Sequence, residues 1–105
     1  NAVSFASARS LMGQIPIVAT YACFLRRAFE QIYNQTTEKT NVVYVGSMAG
    51  PQDPSGPGIS HESLDDGEYM GRLMKVHVPS PKWVLPTLRK CIFGGTTTYV
   101  RLMHK

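Results

Sequence analysis

Two kinds of hydrophobic pattern alternate along this chain. Ile15-Pro-Ile-Val-Ala-Thr-Tyr21 and Asn41-Val-Val-Tyr-Val-Gly-Ser47 are short, rich in β-branched residues and apolar at successive positions, which predicts strands buried on both faces. Pro16 belongs in the first residues of its strand, where a missing donor does least harm. Between the two runs, Leu25, Ala28, Phe29, Ile32 and Tyr33 recur every three or four positions, so a helix is predicted from Phe24 to about Gln35, with Arg26 placed to pair with Glu30. Residues Ala2 to Met12 carry the same helical spacing in Val3, Phe5, Ala6 and Leu11, and Gly13 stands where a left-handed C-terminal cap falls.

The second half repeats the alternation less cleanly. A helix is expected from about Ser63 to Leu73, a strand over Lys75 to Pro79, a helix from Pro81 to Phe93 capped by Ser80, and a last strand over Thr97 to Met103. Pro86 removes the hydrogen bond to the carbonyl of Lys82 and is expected to bend its helix. Strands separated by helical crossovers imply an α/β fold with a parallel sheet and helices on both faces. Ligands of such sheets bind at the carboxyl ends of the strands, which puts the residues after Tyr21 and those after Ser47 at one place. The segment from Met48 to Ser60 has no apolar period, and loops longer than about 12 residues are commonly functional or disordered.

Composition adjusts this picture only a little. At 105 residues the chain has room for one domain, and 43% hydrophobic content is enough to build a core. A net charge of +4 arises from basic residues that are scattered, so it gives no basis for a nucleic-acid partner. The acids Glu62, Asp65, Asp66 and Glu68 cluster, and Lys82, Arg89, Lys90, Arg101 and Lys105 make the last third basic; these read as solvated helix faces or as a steering patch for a phosphorylated ligand. Cys23 and Cys91 are far apart without Cys-x-x-Cys spacing and read as reduced thiols. No apolar run reaches the roughly 18 residues of a membrane span and no leader pattern opens the chain, so no membrane partner and a cytoplasmic protein are expected.

Several segments in order carry a resemblance. Asn1-Ala-Val-Ser-Phe-Ala6, Ile15 through Ile32, Val45-Gly-Ser-Met-Ala-Gly50, Gly56-Pro-Gly-Ile-Ser-His61 and Tyr99-Val-Arg-Leu102 together resemble the pyrimidine-binding module of transketolases and deoxyxylulose phosphate synthases. The resemblance implies thiamine diphosphate held between two domains or chains, with Mg²⁺ and the diphosphate on a partner and the aminopyrimidine on this one. It implies a sugar phosphate substrate and transfer of a two-carbon ketol unit. In that family a glutamate of an acidic-Gln-Asn motif protonates the pyrimidine ring. Asn1 matches the asparagine, which puts the glutamate two positions before it, and the chain by itself is expected to be inactive.

By motif, Phe24 corresponds to the aromatic that lies against the pyrimidine, with Tyr21 close by, and Arg27 falls beside the cofactor. His61 matches a loop histidine that handles substrate hydroxyls or carbonyls, a task suited to a group titrating near neutrality. Each has a plainer reading: Tyr21 and Phe24 as core at a strand-to-helix junction, Arg27 as a helix arginine beside Glu30 or Gln31, and His61 as an exposed loop residue. His77 and His104 read as polar strand and terminal residues, and no metal site is expected on this chain. Ser55 and Met48 replace an acidic residue and a histidine common in transketolases, so sugar specificity departs from that pattern. A degenerate module with a structural role in a larger assembly is the alternative.

Overall fold

A computed structural model describes residues 2–38, 40–51 and 59–103, apart from the side chain of Ile59. Asn1, Ser55, the Gly56-Pro57 pair and His104 lie outside the described residues. The elements are α1 (Ala2–Leu11), β1 (Ile17–Tyr21), α2 (Ala22–Leu25), α3 (Phe29–Thr36), β2 (Val43–Ala49), α4 (Asp66–Gly71), β3 (Lys75–His77), α5 (Val84–Phe93) and β4 (Thr98–Met103), with 3-10 turns at Arg26–Ala28, Ile59–His61 and Pro81–Trp83. This is the order of helices and strands that the hydrophobic pattern predicts.

The four strands are all parallel, in the order β1-β2-β4-β3. From β1 to β2, and from β2 to β3, the chain moves across the sheet in one direction; from β3 to β4 it moves back. Because parallel crossovers share one hand, the first two connections belong on one face and the third on the other. The packing agrees. Val3 and Ala6 of α1, Leu25 of α2, Ile32 of α3 and Met70 of α4 gather with Val42, Tyr44 and Tyr99. Leu88, Cys91 and Ile92 of α5 pack with Val43, Val45 and Val100 on the opposite face. Successive residues of β2 thus point into two cores, which is why its sequence is a continuous apolar run. A fully buried Leu or Ile such as Leu25 or Ile32 contributes about 1.5–3 kcal/mol, so the face covered by α1 to α4 carries most of the stabilisation.

A single helix cannot cover four strands. On the α5 side, β1 is left open: Ile17 is 48% and Tyr21 42% exposed.

Several boundaries differ from expectation for identifiable reasons. The helix expected from Ser63 starts at Asp66, because Ser63 forms an isolated bridge with Gly50 and Asp65 pairs with Arg26. Arg26 therefore does not pair with Glu30, and its hydrogen bond to Asp65, with the attraction of that charge, raises its pKa further. β1 begins after Pro16, whose carbonyl takes the N–H of Val43. β3 stops at His77, two residues before Pro79. Ser80 is extended and Pro81 follows at the first turn position, but the Ser80 side chain makes no cap. The α-helix proper starts at Val84, so Pro86 falls in its first turn, where an amide N–H has no intrahelical partner and the proline removes no helical hydrogen bond. Gly13 is left-handed (φ 87°) just after α1, as a C-terminal cap requires.

His77 in β3 titrates below the ordinary histidine value of 6.5, first because it is partly buried and then because Lys75 and Lys90 repel its charged form. The folded chain therefore binds fewer protons here than the unfolded one. Stability from this residue is full above the unfolded value and falls as pH drops from there through the folded pKa. His77→Gln is expected to flatten the loss of melting temperature between about pH 7 and about pH 5. An unchanged slope would mean that other groups set it.

Candidate functional site

The register of the sheet determines what meets at its carboxyl end. Ala19 pairs with Val45 and Tyr21 with Ser47, so these four residues share the face that α5 leaves open. β1 passes directly into α2, with Tyr21 extended (φ −64°, ψ 138°) as the last residue before the helix. One turn later Phe24 turns its ring toward the same opening. Ala19, Thr20, Tyr21, Phe24, Val45 and Ser47 line a concavity of about 410 Å³. The Ser47 hydroxyl donates to the Thr20 carbonyl at 3.3 Å, tying the two strand ends together.

Three aromatic rings converge on this opening. Tyr21 and Phe24 stack with centroids 5.7 Å apart and planes 15° from parallel. His61 meets both edge to face, at 5.9 Å from Tyr21 and 5.5 Å from Phe24. The Arg27 guanidinium lies 5.7 Å from the Phe24 centroid, within cation–π range. All four residues singled out in the sequence thus occupy one place. Tyr21 and Phe24 are not core: they keep 42% and 36% of their surface exposed, on a strand-to-helix junction where Ala22 and Leu25 are buried. Arg27 turns to Phe24.

Ser60 adds a polar partner that the sequence did not mark. Its hydroxyl lies 3.0 Å from His61 Nδ1, which leaves Nε2 as the nitrogen for exchange with a ligand. Met48, where a histidine is common in transketolases, sits in a left-handed conformation (φ 56°) at an irregularity of β2 between Gly46 and Ala49. Among the described residues no group of three or more His, Cys, Asp or Glu could hold a metal ion, and no helix is long and apolar enough to cross a membrane. Cys23 and Cys91 are free thiols.

Asp66 is the residue that sequence reasoning misplaced. Read as one of a solvated acidic group, it is wholly buried, with its carboxylate on Tyr99 and Arg101. The available signal was Arg101 itself, a cation two residues after Tyr99 in an otherwise apolar strand, which calls for a buried counter-charge.

Fold and site together define a parallel α/β domain with an aromatic-lined cleft at the carboxyl edge of its sheet. Comparison with known proteins narrows the class: the chain is homologous to a segment of 1-deoxy-D-xylulose-5-phosphate synthases. It is 34% identical over 83 residues to the synthase of Dictyoglomus thermophilum, covering 78% of this chain and 13% of that protein. With the synthase of Thermus thermophilus it shares 33% identity over 104 residues, covering 95% of this chain and 17% of the relative. The chain therefore spans less than a fifth of the length of these relatives. No protein-family model matches it.

Proposed function

We propose that this chain is the pyrimidine-binding part of a thiamine diphosphate-dependent, transketolase-like enzyme acting on a phosphorylated sugar. The observation that carries the reading is the convergence of Tyr21, Phe24, His61 and Arg27 on one open cleft. The similarity to synthases of a sugar phosphate supports it.

The cleft suits a flat heterocycle. Its volume falls in the range of small-ligand sites, about 300–1,000 Å³, and its lining is mostly apolar with the Ser47 hydroxyl and the Thr20 carbonyl it bonds to among the polar groups. A half-exposed phenylalanine face gives an electron-poor ring dispersion and offset stacking, and Arg27 behind it holds the ring in place. It does not suit a diphosphate with Mg²⁺, which needs clustered cations or carboxylates. Those we assign to a partner domain or subunit of the same enzyme. Bound against these residues, thiamine diphosphate would supply a nucleophilic carbon for chemistry at a carbonyl. On this chain, Tyr21 and Phe24 position and exclude water, and His61 Nε2 gives or takes a proton at a substrate hydroxyl or carbonyl, within transfer of a two-carbon ketol unit. The mutual stacking of Tyr21 and Phe24 favours a second reading, a degenerate module whose aromatics serve only packing.

Titration of the complete enzyme with thiamine diphosphate separates the two. Phe24→Ala is expected to weaken binding about tenfold, the equivalent of about 1.4 kcal/mol, whereas His61→Ala leaves affinity near its original value and lowers turnover. Unaltered affinity in Phe24→Ala would sink the cofactor reading and leave the packing role. The 105-residue chain alone is expected to gain no thermal stability from thiamine diphosphate with Mg²⁺. A saturable rise would move the diphosphate site onto this chain.

A further inference from the structure

A buried carboxylate is tolerated only when it is paired and hydrogen-bonded, and Asp66 is both. Its Oδ2 accepts from the Tyr99 hydroxyl at 2.5 Å and from Arg101 Nε at 2.8 Å. Burial, then the contact with Asp66, push the Tyr99 hydroxyl well above the usual phenol range, so it stays a donor. Tyr99 and Arg101 are two residues apart on β4 and therefore point to the same side of the sheet. The Tyr99 ring reaches Asp66 by crossing over Gly46, where a Cβ would lie 2.9 Å from its Cε1 and Cζ.

Arg101 does not end at Asp66. Its side chain, 14% exposed, also directs an NH2 group to the Ser63 carbonyl at 3.4 Å. That carbonyl accepts the Gly50 N–H at 2.7 Å, and the Ser63 N–H returns to the Gly50 carbonyl at 3.4 Å. This bridge joins the end of β2 to the chain just before α4 and closes the segment that carries His61, two residues from Ser63. One guanidinium fork thus holds the first residue of α4 and the closing point of the His61 segment in fixed relation to β4. A lysine, with a single charged nitrogen, lacks the planar fork that serves both.

We infer that Arg101 is a positioning residue for His61: anchored by Asp66 and Tyr99, it fixes the Gly50–Ser63 bridge so that His61 keeps its edge-to-face contacts with Tyr21 and Phe24. The functional meaning of this strut rests on the proposed site; the geometry does not. Loop histidines without such a tie sample many orientations, and a proton-transferring group needs one.

Nuclear magnetic resonance of the histidine rings tests it without any ligand. The carbon-bound protons of His61, identified by their loss in His61→Gln, carry a ring-current displacement from Tyr21 and Phe24. Arg101→Met keeps the apolar stem and removes the fork, and is expected to abolish that displacement. Arg101→Lys is expected to retain part of it. Unchanged His61 signals in folded Arg101→Met, whatever its melting temperature, would overturn the inference, because the strut would then serve stability alone. Should Arg101→Met not fold, Asp66→Asn keeps the side-chain shape and removes the anchoring charge. Loss of the displacement there supports the strut, and its retention overturns it. The cofactor reading stands or falls separately, on the thiamine diphosphate titration of Phe24→Ala.

Discussion

Gly46→Ala is expected to destabilise the fold by about 3 kcal/mol, lowering the melting temperature by roughly 10–20 °C. Gly46 lies on β2 beneath the Tyr99 ring, and an added Cβ would meet the hydroxyl, Cε1 and Cζ of that ring. Neither partner can give way easily. Tyr99 is fully buried among Tyr44, Met70 and Leu25, and β2 is held by β1 on one side and β4 on the other. Overpacking of this kind costs about 1–3 kcal/mol by itself. Displacing Tyr99 also removes a hydrogen bond to a buried carboxylate, a contribution of about 1.5–3 kcal/mol. The two overlap because one movement causes both, hence a figure below their sum. Denaturant unfolding of the purified variant measures it directly. A change under about 1 kcal/mol would show that the ring can swing aside and that Asp66 finds another donor. Because the same displacement loosens Asp66 and Arg101, the His61 ring signals are expected to move as well.

Much of this architecture could be read from the chain, and the reasons it could are local. β2 is legible because both of its faces are buried, so Val42 through Val45 form an unbroken apolar run. β1 has the same composition, yet one of its faces is open, and nothing in Ile17, Ala19 or Tyr21 distinguishes it from β2. The difference arises from how far α5 reaches, which no residue of β1 encodes. The strand-end rule was enough to bring Tyr21, Phe24 and the segment after β2 together. His61 needed the resemblance, since a single histidine after a glycine- and proline-rich stretch has no pattern of its own.

What the sequence concealed depends on partners far along the chain. Asp66 sits in an acidic group in which Asp65 and Glu68 are in surface pairs, and its own partners, Tyr99 and Arg101, come more than thirty positions later. Arg26 had an attractive local partner in Glu30 one turn away, but a 3-10 turn at Arg26–Ala28 interrupts the helix spacing, and the side chain reaches Asp65. Pro86 is disruptive in a helix that begins at Pro81, but not in one that begins at Val84, where it lies in the first turn. In each case a short-range rule was sound and a longer-range contact, or a shifted boundary, decided otherwise.

At the opposite end of the sheet, Gln35→Leu is expected to cost about 2–4 kcal/mol while leaving the cleft untouched. Gln35 is 2% exposed and sits at the end of α3. Its Nε2 donates to the Thr40 hydroxyl at 2.9 Å and the Thr97 hydroxyl at 3.0 Å, and its Oε1 accepts from the Tyr44 hydroxyl at 2.9 Å. These contacts tie α3 to the chain entering β2 and to the chain entering β4. Leucine keeps the volume but leaves the buried Tyr44 hydroxyl without an acceptor, in surroundings that already push its ionisation upward. An orphaned buried hydroxyl costs about 1–3 kcal/mol, so removing it should help: Gln35→Leu with Tyr44→Phe is expected to recover about 1–2 kcal/mol of the loss. A double variant no better than Gln35→Leu would assign the cost to Thr40 and Thr97 instead. The comparison with Gly46→Ala carries the larger point. Both variants destabilise by a similar amount, but Gln35 acts where β2 and β4 begin, and Gly46 acts through Tyr99 toward the end where His61 sits. If the strut through Arg101 is what places His61, only Gly46→Ala will shift its ring signals; an equal shift in Gln35→Leu would mean that general loosening of the domain, rather than that one connection, governs the site.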